Sequence, residues 1–126
     1  MMLARMDTLV ISVVAVFFLA MGGYALVAPA ALARPFRIRI DTPESRSEIR
    51  AVYGGFGLAI AGVLAAAAAD VGGIRTGVVI TVGVALAGMA LCRLVSRAVD
   101  PGTAFYPIWF YFCVEVVAAA LLFAVA

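Results

Sequence analysis

Four apolar runs, each about 20 residues long and so each able to cross a bilayer, alternate with short polar stretches along the chain. The pattern predicts membrane-spanning helices at about 7–27, 49–69, 74–96 and 105–126. The first run, from Asp7 to Val27, competes with a signal-peptide reading: Arg5 precedes it, and small residues lie before Arg34. Its apolar core of about 20 residues exceeds the 7–15 of a signal h-region, so it reads as a retained first helix.

The breaks between runs carry their own signals. Pro29 and Pro35 are expected to end the first helix and keep it from resuming, because proline lacks the donor and clashes with the preceding turn. Phe36 to Ile40 alternates apolar and basic with period two. With no partner strand in the chain, it reads as an extended interfacial segment. Phe36, Ile38 and Ile40 would dip into the acyl boundary, and Arg37 and Arg39 would meet headgroup phosphates. The second helix starts before it enters the bilayer near Ile49. Asp41 or Thr42 can cap it, Pro43 suits the first helical position, and Glu44 suits the positive end. Ser45 to Glu48 offers a second capping box. Asp70-Val71-Gly72-Gly73 predicts a tight turn. The third helix extends to Val99, where Asp100-Pro101-Gly102 breaks it. The fourth begins near Tyr106-Pro107, and Phe105, Tyr106, Trp109, Tyr111 and Phe112 form an aromatic belt at one membrane face.

Short connections predict one domain over residues 1–126: an all-α, integral membrane, four-helix up-down-up-down bundle. Helices in lipid associate through close backbone approach rather than hydrophobic drive. The expected contact faces are the small residues Gly55, Ala59 and Gly62 on the second helix, and Val84, Gly88 and Cys92 on the third.

Composition agrees with the pattern. Of 126 residues, 67% are hydrophobic, against roughly 45–50% in a soluble domain. There is no Lys, His, Asn or Gln, and all nine basic residues are Arg. The absence of His removes imidazole metal sites, His-ligated haem and His acid–base chemistry. No cofactor or metal motif is read. A net charge of +2 is too small to suggest nucleic acid. Cys92 and Cys113 show no metal spacing, and their helical angles from Arg93 and Glu115 argue against a bridge.

The two membrane faces can be called side A, with both termini and the 70–73 turn, and side B, with the 28–48 segment and the 97–104 loop. Side B carries Arg34, Arg37, Arg39, Arg46, Arg50 and Arg97; side A carries Arg5 and Arg75. The bias predicts side B in the cytoplasm of a cell membrane, and both termini outside.

Glu115 alters the picture most, because a carboxylate inside an apolar span is expensive unless paired. Counted from side B, it lies roughly 13 Å deep and Arg93 roughly 9 Å deep at 1.5 Å per residue. The two are expected to pair. Tyr53, Tyr111 and Ser96 would lie above them, with Glu48, Arg50, Arg97 and Asp100 at the mouth, forming a pocket between the second, third and fourth helices. The same cluster also reads as packing glue that sets helix register.

The run Ser47-Glu48-Ile49-Arg50-Ala51-Val52-Tyr53-Gly54-Gly55-Phe56-Gly57, then Cys92-Arg93-Leu94-Val95-Ser96, Asp100-Pro101-Gly102 and a Glu in the last helix, resembles a bacterial family of small four-helix membrane proteins. That family is described only as a domain of unknown function and is distantly similar to DoxX-type membrane proteins. The resemblance covers the second to fourth helices. It implies a membrane fold but no activity, and Glu48, Arg50, Tyr53, Gly54, Gly55, Arg93, Ser96, Asp100 and Glu115 match its polar and glycine positions.

The sequence favours a non-enzymatic membrane protein. One form is an accessory or scaffold subunit of a larger complex or homo-oligomer. The other binds a lipid-like amphiphile beneath the aromatic collar. A proton-coupled transporter using Glu115 is the alternative.

Overall fold

The computed structural model describes residues 2–126, and no strand occurs among them. The helices are α1 (Met2–Val27), the short α2 (Pro29–Ala33), α3 (Pro43–Ala68), α4 (Arg75–Val99) and α5 (Phe105–Ala124). All but α2 are long and apolar enough to cross a membrane, and the protein is an all-α multi-pass membrane protein.

The chain does resume helix after Pro29, contrary to expectation. Ala28 leaves helical geometry, and Pro29 then serves as the first residue of α2, where its missing donor costs nothing. A single 3-10 turn, Arg34–Phe36, follows and closes on Arg37, whose φ of 59° is left-handed. This turn redirects the segment. Phe36 lies half-buried with its ring 5.5 Å from that of Tyr111, and Ile40 packs on Ala25, Leu32 and Ile49. Only Ile38 of the three alternating apolar residues remains exposed.

Thr42 caps α3 with Pro43 in first position. Its hydroxyl accepts from the Ser45 N–H at 3.1 Å, and the Ser45 hydroxyl accepts from the Thr42 N–H at 3.1 Å. Ser45 is thereby committed to Thr42's box, and the second box at 45–48 is not used. One wide turn then interrupts α3 over Arg50–Gly55, where the Phe56 N–H reaches the Ala51 carbonyl five residues back. The extra residue moves the buried face by one position. It runs from Ile49 to Gly54, and then to Gly57, Ala61, Leu64 and Ala67. An ideal helix would put Tyr53 below Ile49; here Gly54 takes that place.

This shift decides how α1 and α3 pack. A Cβ on Gly22 would lie 2.8 Å from the Leu58 backbone nitrogen and 3.0 Å from the Gly54 oxygen, and one on Gly57 would lie 3.2 Å from the Gly22 Cα. The two backbones touch through glycine. On the other side of the bundle Gly83 of α4 receives the Phe123 ring, 2.7 Å from where its Cβ would stand. The expected small-residue faces are not the contacts: Gly55, Ala59, Gly62, Val84, Gly88 and Cys92 are all exposed.

The 70–73 turn uses left-handed backbone at Asp70, Gly72 and Gly73. Arg75 then folds back. Its Nε donates to the Ala67 carbonyl at 3.0 Å and its Nη2 to that of Ala68 at 2.7 Å. A cation thus sits at the negative end of α3, joining the Asp70 N–H on the Ala67 carbonyl and supplying a donor to that of Ala68.

The core is lopsided. Its main cluster joins Ile11, Val14 and Ala15 of α1, Leu64 and Ala67 of α3, Val79, Val82 and Leu86 of α4, and Ala119 and Leu122 of α5. All lie in the side A half. Toward side B, α1 stays with α3 and α4 stays with α5, and α3 meets α4 chiefly through its 56–68 portion.

Candidate functional site

Along α4 the buried stripe runs Val79, Val82, Leu86 and Ala90, at helical spacing. One turn further it reaches Arg93. On α5 the stripe Leu122, Ala119 reaches Glu115. Both stripes therefore turn polar at the level where the apolar core ends, and they do so facing each other. Arg93 Nε donates to Glu115 Oε1 at 2.7 Å and Nη2 to Oε2 at 2.8 Å. This parallel fork is the strongest geometry available to an Arg and a carboxylate. Their side chains are 20% and 4% exposed. Glu115 is the one buried charged residue among the described residues, and no buried side-chain nitrogen or oxygen there lacks a partner.

Tyr111 sits one turn above Glu115. Its ring centroid is 5.9 Å from the Arg93 Cζ, within cation–π reach. Its hydroxyl lies 3.9 Å from Met21 Sδ on α1, and its ring contacts Phe36. Tyr111 thus ties the ion pair to α1 and to the turn after α2.

A guanidinium carries five N–H bonds. Two of Arg93's go to Glu115, and the side chain lines an open-sided cleft of about 430 Å³ between α4, α5 and the loop joining them. Its polar groups are Arg93, Ser96, Arg97, Asp100 and Thr103. Its apolar walls are Met89, Cys92, Ile108 and Trp109. The volume is that of a small-ligand site, and the chemistry is amphiphilic: guanidinium, hydroxyl and carboxylate groups beside thioether, aliphatic and indole surface.

The expected nine-residue cluster is divided by the fold. Arg93, Ser96, Arg97 and Asp100 line the cleft, and Glu115 anchors its floor through Arg93. Glu48, Arg50, Tyr53 and Tyr111 do not line it, Tyr111 lying on the α1 side of the ion pair. The Arg50 Nε instead donates to the Leu26 carbonyl at 3.0 Å, where the end of α1 leaves acceptors open. Tyr53, rotated out by the wide turn, is half-exposed, and Glu48 points outward. The pocket expected between the second, third and fourth helices is a cleft between the last two. Met89, Cys92, Thr103, Ile108 and Trp109 were not among the expected site residues. The spacing Met89, Arg93, Ser96, Asp100 along one face of α4 was the available signal. Cys92 and Cys113 are free and exposed.

The chain matches a family model described as Domain of unknown function (DUF4345) over residues 6–126, and it belongs to that family. No curated protein and no solved structure matches it.

Proposed function

We propose that this DUF4345 member is a non-enzymatic membrane protein that holds a lipid-like amphiphile in the α4/α5 cleft. The observation that carries this reading is the cleft itself, about 430 Å³ and open-sided, with Arg93 and Arg97 beside apolar walls. The buried fork with Glu115 supports it, because it fixes Arg93 in place while leaving part of its guanidinium unspent. Proton-coupled transport is the weaker reading. From Glu115 toward side A the four-helix core is entirely apolar and offers a proton no carriers. An accessory role in a larger complex is compatible with amphiphile binding, but nothing in the bundle favours it separately. The arginine distribution supports side B in the cytoplasm and both termini outside, and the resemblance to a bacterial family is the ground for an inner-membrane location. The Glu48 to Gly55 run is the ground for a distant kinship with DoxX-type proteins.

Native mass spectrometry after gentle extraction tests the reading. The wild type is expected to carry a retained amphiphile. Ser96→Trp, which fills the cleft, is expected to lose it. Gly62→Trp, added where a Cβ meets nothing within 4 Å, is expected to keep it. Equal adducts on the wild type and Ser96→Trp, or none on any form, would sink the proposal.

A further inference from the structure

The mouth of the cleft holds one cation and one anion that the fold does not pair. Arg97 and Asp100 both line it, three residues apart at the end of α4. The one ion pair among the described residues is Arg93–Glu115, so their charged atoms stay more than 4.0 Å apart. Such neighbours on a helix end would ordinarily close on each other. Arg97 is held elsewhere. A Cβ on Gly102 would lie 3.3 Å from Arg97 Nε and 3.6 Å from its Cζ and Nη2. The guanidinium therefore rests beside the bare Gly102 backbone of the α4–α5 loop. The Asp100 backbone closes α4, its N–H donating to the Ser96 carbonyl at 2.9 Å, and leaves the carboxylate to the cleft.

The charge count is balanced twice over. Glu115 neutralises Arg93 on the floor, and Asp100 offsets Arg97 at the mouth. A site of this kind rewards a ligand that brings both signs at once and gives little advantage to one that brings a net charge. The arginine fork suits a phosphate, which Arg93's remaining donors and the Ser96 hydroxyl can also reach. The Asp100 carboxylate suits a cation that can donate hydrogen bonds, with the Trp109 indole on the opposite wall. Below the headgroup level, Met89 and Cys92 lead toward the apolar interior. The volume admits a headgroup and the start of its chains, and the open side lets the chains continue into the bilayer.

We propose that the cleft is a specific site for a zwitterionic phospholipid with a primary-ammonium head, its phosphate on Arg97 and its ammonium on Asp100. This assignment rests on the amphiphile-binding reading and names the ligand class for it. A choline head has the same two charges but cannot donate to Asp100, and a glycerol head supplies the phosphate alone.

Trp109 lines the cleft and is the only tryptophan in the chain, so its fluorescence reports occupancy directly. The experiment titrates the full chain in detergent with brominated-acyl phospholipids of identical chains and ethanolamine, choline or glycerol heads. Saturable quenching is expected, with the ethanolamine lipid half-saturating at about tenfold lower mole fraction than the other two, a difference of about 1.4 kcal/mol. Asp100→Ala is expected to bring ethanolamine and choline within about twofold, since it removes the acceptor that separates them. Arg97→Gln is expected to weaken all three heads about tenfold. Saturable quenching with no head preference, or with the glycerol lipid preferred, overturns the zwitterion assignment and leaves the amphiphile reading intact. Linear quenching by all three overturns both. The headgroup panel on the wild type decides between these outcomes even if a variant fails to fold.

Discussion

Replacing Glu115 with Leu should destabilise the bundle far more than replacing Glu115 and Arg93 together. The pair is a two-bond fork at 2.7 and 2.8 Å, with side chains 4% and 20% exposed. At an effective dielectric of about 20, unit charges about 4 Å apart attract by about 4 kcal/mol. Most of that attraction offsets the cost of removing both groups from water, so the net contribution of the intact pair is small. Breaking it from one side is different, because the surviving charge keeps its desolvation cost and loses its partner, typically about 3–5 kcal/mol. Arg93 is the more exposed partner and lines the cleft, so after Glu115→Leu it can swing toward side B. That relief puts the expected cost of Glu115→Leu at about 3 kcal/mol. Arg93→Met leaves a carboxylate with no such route and should cost at least as much. The double variant Arg93→Met/Glu115→Leu should lie within about 1.5 kcal/mol of wild type, because both charges are gone and the replacements are apolar and of comparable length. The assay is reversible unfolding in mixed micelles of increasing SDS fraction, followed by far-UV circular dichroism and Trp109 emission. A double-mutant cycle then isolates the coupling. A coupling below about 0.6 kcal/mol, the mean for ordinary interhelical hydrogen bonds in membranes, would refute the reasoning.

Two further substitutions address the frame around the site. Gly22→Val should cost about 1–3 kcal/mol by forcing α1 away from the Leu58 and Gly54 backbone, whereas Gly62→Val should be near neutral, both read by the same unfolding assay; equal costs would show that the glycine contact does not set the α1–α3 spacing. Arg75→Met should cost about 1–3 kcal/mol and speed hydrogen exchange at the end of α3, because the Ala68 carbonyl loses its donor and the Ala67 carbonyl loses one of two; unchanged exchange would mean that solvent satisfies those carbonyls equally well.

Depth along the membrane normal was legible in the sequence, and direction around each helix was not. The apolar runs located the four long helices. Counting residues from side B put Arg93 and Glu115 at neighbouring levels, and on a helix pair with short connections that nearly suffices to join them. Azimuth failed at α3. Residue size alone selects the face Gly55, Ala59 and Gly62; a regular helix continued from Ile49 would bury Tyr53, Phe56 and Ile60, and the wide turn over Arg50–Gly55 advances that face by one residue, to Gly54, Gly57 and Ala61. The same advance left Tyr53 half-exposed and outside the α4/α5 cleft. Composition made this worse, because alanine and glycine occupy every face of the helix and leave no contrast for periodicity to reveal. Arginine raised a second difficulty. Its side chain is long enough to reach several partners at one depth, so the sequence could not say that Arg50 and Arg75 would each satisfy the carbonyl end of the preceding helix. Thr42, Pro43 and the 70–73 turn were read correctly because caps and turns are set by adjacent residues alone.

The placement of the ion pair across the last two helices has a consequence for how the chain is made. Glu115 lies in the last of the four described spans, so it leaves the ribosome after the three before it. On its own, that span carries a carboxylate into lipid, a burden of a few kcal/mol against an otherwise apolar helix. By then Arg93 is already in the bilayer on the preceding helix, carrying the opposite liability. Each charge makes the other's residence tolerable, so α4 and α5 settle as a couple rather than one after the other. The α4–α5 hairpin is thus expected to integrate as one unit, and a ribosome stalled between Arg93 and Glu115 would leave Arg93 to turn toward side B until its counterpart is made.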